Sequence, residues 1–146
     1  MHVSEIMHSP AECCYPETNL DAVAKLMWDH DCGVIPVADD SNKPIGILTD
    51  RDIAMSSFLN HKPLWEISSK EITNKRPLFM CKGNDDIRNA LETMEREKVR
   101  RLPVVNSDGE LQGILSIDDI VFFAKQGTDL SYDDTAGTLK AVSIHH

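Results

Sequence analysis

One stretch of this chain is written twice. Ile35-Pro36-Val37 recurs as Leu102-Pro103-Val104, and Gly46-Ile47-Leu48-Thr49 recurs as Gly113-Ile114-Leu115-Ser116. Asp52-Ile53 recurs as Asp119-Ile120, and every pair lies 67 positions apart. Pro10 maps to Pro77 and Cys14 to Cys81 at the same offset. A gapless repeat over most of 146 residues limits the fold to two copies of one supersecondary unit. One copy has little apolar surface to bury alone, so two copies are expected to pack sheet to sheet.

The order of elements within a copy follows from periodicity. Leu20, Val23, Ala24 and Met27 sit at i, i+3, i+4 and i+7, as do Ile87, Ala90, Leu91 and Met94. This spacing puts one apolar stripe on a helix. It predicts helices over about Thr18 to His30 and about Asn84 to Lys98, the second capped by Asn84-Asp85. Two short strands follow in each half, Val34 to Ala38 and Ile45 to Thr49, then Arg101 to Val105 and Leu111 to Ser116. The turns between them are Asp39-Asp40-Ser41-Asn42 and Asn106-Ser107-Asp108-Gly109. Helices near Asp50 to Phe58 and Ile117 to Lys125 close the halves. The expected division is a first repeat over 1–59, a linker over 60–70, a second repeat over 71–126, and a tail over 127–146. Leu64, Trp65 and Ile67 suggest a helical connector in the linker, and the tail has no assigned structure.

Composition excludes several functions. A net charge of -9 repels phosphate backbones, so nucleic acid is not an expected partner. No apolar run approaches the roughly 20 residues that span a bilayer. Met1 to Pro10 lacks a basic start followed by an apolar stretch, so a cytoplasmic location is expected, without a membrane. Cys13, Cys14, Cys32 and Cys81 form no CxxC pair and are expected as buried or half-buried thiols. Together with His2 and His8 they match no common zinc spacing, and His145 and His146 end the chain, so no metal is expected. No Walker loop, Gly-x-Ser-x-Gly elbow or HExxH motif is present, so the chain is not expected to be an enzyme. Trp28 and Trp65 are expected to pack or to contact a dimer partner.

The full order is a helix, a φ-Pro-Val strand, an acidic turn, Gly-φ-φ-Thr/Ser-x-x-Asp and a second helix. Present twice over roughly residues 1 to 126, it resembles a tandem pair of cystathionine-β-synthase (CBS) domains, the Bateman module. The resemblance implies an α+β (α/β) fold of two pseudo-symmetric β-α-β-β-α repeats packed through their sheets. It implies a module that senses AMP, ADP, ATP, NAD or S-adenosylmethionine, with no required cofactor. It also implies a homodimer and, for the output, an unidentified regulated protein.

Thr49 and Asp52, and Ser116 and Asp119, lie three apart at a strand–helix junction. The carboxylate suits both ribose hydroxyls, and the hydroxyl with the helix N–H groups suits a phosphate oxygen. By the resemblance these are their roles, while plain helix capping explains the same residues. Arg100 and Arg101 precede the second φ-Pro-Val strand, where the resemblance implies phosphate contact. Gly33 and Val34 stand at the equivalent positions, with Arg51 as the compensating cation. The Ser116/Asp119 half is therefore expected to take the more anionic ligand. The base is expected against Ala11, Ile35 and Pro36 in one half and Leu78, Leu102 and Pro103 in the other. The competing reading is a ligand-free structural or dimerisation module, in which the motifs serve only as caps.

Overall fold

The computed structural model describes residues 1–73 and 76–144, which form two compact units. His145 and His146 lie outside the described residues.

One unit comprises Ala11–Leu78. Helix α1 (Leu20–Asp29) buries Leu20, Val23 and Met27 on the predicted stripe. It starts two residues later than expected, because Thr18 is held in a turn: its hydroxyl accepts the Tyr15 amide (3.0 Å). Strands β1 (Val34–Ala38) and β2 (Pro44–Thr49) pair antiparallel, with Val34 opposite Thr49. All of β1 is buried, as a continuous Val-Ile-Pro-Val-Ala run requires. Helix α2 (Asp50–Asn60) leaves β2 directly. The expected connector holds a 3-10 turn (Leu64–Glu66) and then helix α3 (Ser69–Thr73). Ile67 between them is buried in the core with Leu20, Ile35 and Leu48.

The other unit comprises Met1–Pro10 and Phe79–His146. Strand β3 (Cys81–Lys82) runs parallel to β4 (Arg101–Val105), which pairs antiparallel with β5 (Leu111–Ser116). Cys81 lies opposite Val104, and its equivalent Cys14 makes a single parallel bridge to Val37, so the repeat extends to the extended lead. Between β3 and β4, helix α4 (Ile87–Glu97) buries Ile87, Ala90, Leu91 and Met94. Its cap is Asp86, which accepts the Arg88 amide (2.9 Å), not Asn84-Asp85 as expected. Asp85 instead accepts the Lys82 amide (2.8 Å). Helix α5 (Ile117–Phe123) ends two residues before the expected Lys125, because Ala124 is extended. The tail holds helix α6 (Tyr132–Val142), which packs on α4 and α5.

The compact units cut across the chain-order division. The first ten residues belong with the second repeat: the His8 amide donates to the Ile114 carbonyl (2.9 Å), and the Ile114 amide donates back (3.0 Å). Conversely, the segment just before the second repeat completes the first, where the Ser69 amide donates to Thr18 O (2.8 Å). Gly46 and Gly113 make these close approaches possible. A Cβ on Gly46 would lie 2.6 Å from Thr73 Cβ, and one on Gly113 would lie 2.6 Å from the His8 carbonyl oxygen. Each unit closes an apolar core of its own, which a buried-side-chain gain of roughly 1.5–3 kcal/mol per large residue holds together. Trp28 and Trp65 are exposed, 87% and 64%. No helix among the described residues is long and apolar enough to cross a membrane.

Candidate functional site

Each repeat turns from strand to helix through the same reciprocal cap. The Asp52 amide donates to Thr49 Oγ1 (3.2 Å), and the Thr49 amide donates to Asp52 Oδ2 (2.8 Å). The Asp119 amide donates to Ser116 Oγ (3.1 Å), and the Ser116 amide donates to Asp119 Oδ2 (2.8 Å). The capping reading of these residues is therefore correct as local structure, and it fixes both carboxylates at the first turn of a helix. All four residues are half-buried, so the fixed groups stay within reach of solvent.

The two carboxylates differ in their third donor. Asp119 Oδ2 also accepts the Ser116 hydroxyl (2.8 Å), a neutral donor. Asp52 Oδ2 accepts Arg76 Nη2 at 2.5 Å, a charged one. Arg76 Nη2 also donates to Ile47 O (3.2 Å), so the guanidinium bridges β2 and α2. A cleft of about 160 Å³ beside the pair is lined by Asp52, Met55, Ser56, Leu59, Ile72 and Arg76. That volume is below the roughly 300–1,000 Å³ of drug-sized pockets, so the cleft alone suits a fragment such as a ribose or a phosphate.

Arg100 is engaged elsewhere: its Nη2 donates to Ser143 Oγ (3.2 Å), at the end of α6. Arg101 is half-buried and lies opposite Ser116 across β4 and β5, so its side chain and that of Ser116 share a face. Arg51 is exposed, and its amide donates to Asp50 Oδ1 (2.9 Å). Ile35 and Leu102 are fully buried in the two cores and present no surface to a ligand. Pro36 and Pro103 are buried on β1 and β4, while Ala11 and Leu78 are half-buried. Leu78, expected with the second half, belongs to the same unit as Ala11.

Sequence reasoning missed Arg76. It stands one residue before Pro77, and its equivalent one residue before Pro10 is Ser9, whose hydroxyl donates to Gln112 O (2.9 Å). The charge difference between the halves therefore sits partly in the lead segments, which the comparison of strand and helix motifs did not cover.

The CBS domain profile matches residues 3–57 and 70–125. The chain belongs to the CBS domain family. Its two matched segments are the tandem pair, and the mixed α/β fold above is that of the family's solved members. The chain is 31% identical to Hypoxic response protein 1 of Mycobacterium tuberculosis over 116 residues, covering 80% of each. A crystal structure of Hypoxic Response Protein I with two coordinated zinc ions superposes at a TM-score of 0.77, with 28% identity over 86% of this chain and all of that one. The structure of CBSX2 in complex with AMP gives a TM-score of 0.69 and 25% identity, covering 83% of this CBS pair and 93% of that chain. A CBS domain protein of Pyrobaculum aerophilum complexed with AMP shares the fold, at a TM-score of 0.75 and 22% identity over 98% and 99% of the chains. Among the described residues of this CBS pair, no group of three or more His, Cys, Asp or Glu side chains converges into a metal site.

Proposed function

We propose that this CBS pair is a regulatory module whose strand–helix junctions bind an adenine nucleotide or adenosyl ligand. The observation that carries the reading is the fixed Asp52 carboxylate with Arg76 at 2.5 Å, beside a cleft of fragment size. A ribose diol and a phosphate both find partners in such a pair. The diol takes the carboxylate, and the displaced guanidinium turns to the phosphate, where its planar fork makes paired hydrogen bonds. The AMP complex of CBSX2 supports the ligand class.

The sequence assigned Arg100 and Arg101 to the second half and Arg51 to the first. Arg100 bonds Ser143 and Arg101 lies across from Ser116, whereas Arg76 joins Asp52 next to exposed Arg51. Arg76 touches the first junction's carboxylate, where the neutral Ser116 hydroxyl stands in the second, so we place the more anionic ligand at Thr49 and Asp52, reversing the expectation from sequence. The module works as a cytoplasmic homodimer and relays occupancy to a regulated protein. It does so only to the extent that the ligand binds one state better than the other.

A second reading has one observation in its favour. Both reciprocal caps are complete without any ligand, as a ligand-free structural module requires. Calorimetry against AMP, ADP, ATP, NAD and S-adenosylmethionine separates the two. Saturable heat with at least one adenosyl compound is the expected result, and no heat with any of them supports the structural module. A hydrolysis screen with the same nucleotides is expected to show no turnover, and light scattering after size exclusion is expected to show a dimer.

A further inference from the structure

Arg100 is tied to two places at once. Its carbonyl accepts the amide of Ile117 (2.9 Å), the first residue of α5, and its neighbour Arg101 lies opposite Ser116. Its guanidinium is held elsewhere, on Ser143 Oγ (3.2 Å), just past the end of α6. The backbone of Arg100 thus sits at the second junction while its charge is fixed to the tail. Gly33 stands at the equivalent position of the first repeat, so the first junction has no such hold. The helix that fixes the charge is weakly attached. The tail docks through Leu130, Leu139 and Val142, but it also buries Thr135 and Thr138 where apolar side chains would gain more. The Thr138 hydroxyl donates to Glu95 Oε1 (2.6 Å), and Asp134 faces Arg88 (3.7 Å), so part of the attachment rests on polar contacts at accessible sites, which are individually weak. Gly137 stands in mid-helix with open space where its Cβ would be, so no packing demands a glycine that weakens the helix. Segments held in this way open locally at a lower free energy than the core.

We propose that α6 is a latch on the second junction: its docked last turn and a phosphate-bearing adenosyl ligand at Ser116 and Asp119 compete for the Arg100 guanidinium. The inference rests on the nucleotide reading above and adds the regulation of one of its sites. From its place opposite Ile117, a freed Arg100 side chain swings to the junction one residue away. There it exchanges a neutral hydroxyl for a charged phosphate, and charged pairs make the stronger hydrogen bonds. Adenosine has no phosphate to offer, so it leaves the latch docked. The coupling is reciprocal: a change that tightens the latch weakens the phosphate-bearing ligand by the same factor, and a change that loosens it does the reverse. The anion preference of the second junction therefore follows the state of the tail, whereas the first junction keeps its own arginine, Arg76, on Asp52.

Full-length Asp52→Ala protein serves as the parent, so that the second junction is read alone, and Ser143→Ala and Gly137→Ala are added to it singly. Both added positions are exposed, and neither touches the junction. Calorimetry with AMP and with adenosine is the measurement. Ser143→Ala, which loosens the latch, is expected to tighten AMP about two- to fivefold, and Gly137→Ala, which tightens the latch, to weaken AMP by a similar factor. Adenosine affinity is expected to stay the same in both. In the parent, AMP but not adenosine is expected to speed amide hydrogen exchange across the last turn of α6. AMP affinity that ignores both substitutions, or shifts that are equal for AMP and adenosine, would overturn the latch and leave the nucleotide reading standing. AMP binding that is absent from the parent, or indifferent to an added Asp119→Ala, would overturn the nucleotide reading at this junction and the latch with it.

Discussion

Arg76 Nη2 reaches the same oxygen, Asp52 Oδ2, that the Thr49 amide caps, whereas Asp119 Oδ2 takes the Ser116 hydroxyl in that place. A duplicated carboxylate is thus charge-paired in one repeat and neutral-paired in the other. In the proposed complex the ligand exchanges partners with an arginine that is itself half exposed, 49%.

That exchange makes Arg76→Ala selective. AMP affinity is expected to fall about tenfold, the lower end for a charged hydrogen bond at an accessible site. Adenosine affinity is expected to hold or rise, because the diol no longer competes with the guanidinium. Calorimetry with both ligands reads the ratio, and equal losses for the two contradict the phosphate role.

Gly113→Ala and Gly46→Ala should each cost roughly 1–3 kcal/mol of unfolding free energy. Gly113→Ala should cost more, since its Cβ meets the His8 carbonyl oxygen, which the Ile114 amide already holds, while Gly46 meets the Thr73 side chain. Urea denaturation of both variants checks the order.

Cys14 and Cys81 should behave alike and unlike the other two thiols. Burial pushes Cys14 up to about 11, against an opposing hydrogen bond from Ser69, and pushes Cys81 up to about 12. Both stay protonated and buried at pH 8, so iodoacetamide should label Cys13 and Cys32 in the folded protein and the buried pair only after unfolding. The raised values favour folding fully below the ordinary thiol value of 9.0, and that contribution is lost as pH rises toward 11–12. Urea midpoints at pH 8 and above pH 10 should fall in that order.

Helix α6 should respond to its own cap. Ser131 accepts the Asp134 amide (3.1 Å), so Ser131→Ala should cost about 1 kcal/mol. Gly137 faces open space in mid-helix, and Gly137→Ala should restore about as much. The Ser131 hydroxyl, then its amide and Arg88, lower the Asp134 pKa, so the stabilisation is present above the ordinary carboxylate value and fades as pH falls through the lowered one. Amide hydrogen exchange across 132–142 follows all three effects.

The strands and helices of both repeats were legible because 3.6-residue stripes and φ-Pro-Val runs are local signals, written twice. Thr49, Asp52, Ser116 and Asp119 were legible as junction residues for the same reason. Arg76 was not, since its contact with Asp52 joins chain positions 24 apart and has no counterpart in the other copy, where Ser9 stands. The exchange of lead segments was hidden likewise, because the pairing of His8 with Ile114 depends on a glycine that sequence reading treats as part of a strand. Helix α6 was missed because Gly127 and Gly137 and its polar residues mask a short apolar face, Leu139 and Val142, that only the second repeat's surface completes.

In the proposed complex Asp52 holds the ligand's ribose. An AMP titration of the wild type, Asp52→Ala and Asp119→Ala by calorimetry tests it most directly. Saturable binding is expected, and Asp52→Ala should weaken it at least about tenfold and more than Asp119→Ala does. Binding that survives Asp52→Ala unchanged, or no binding to the wild type, contradicts it.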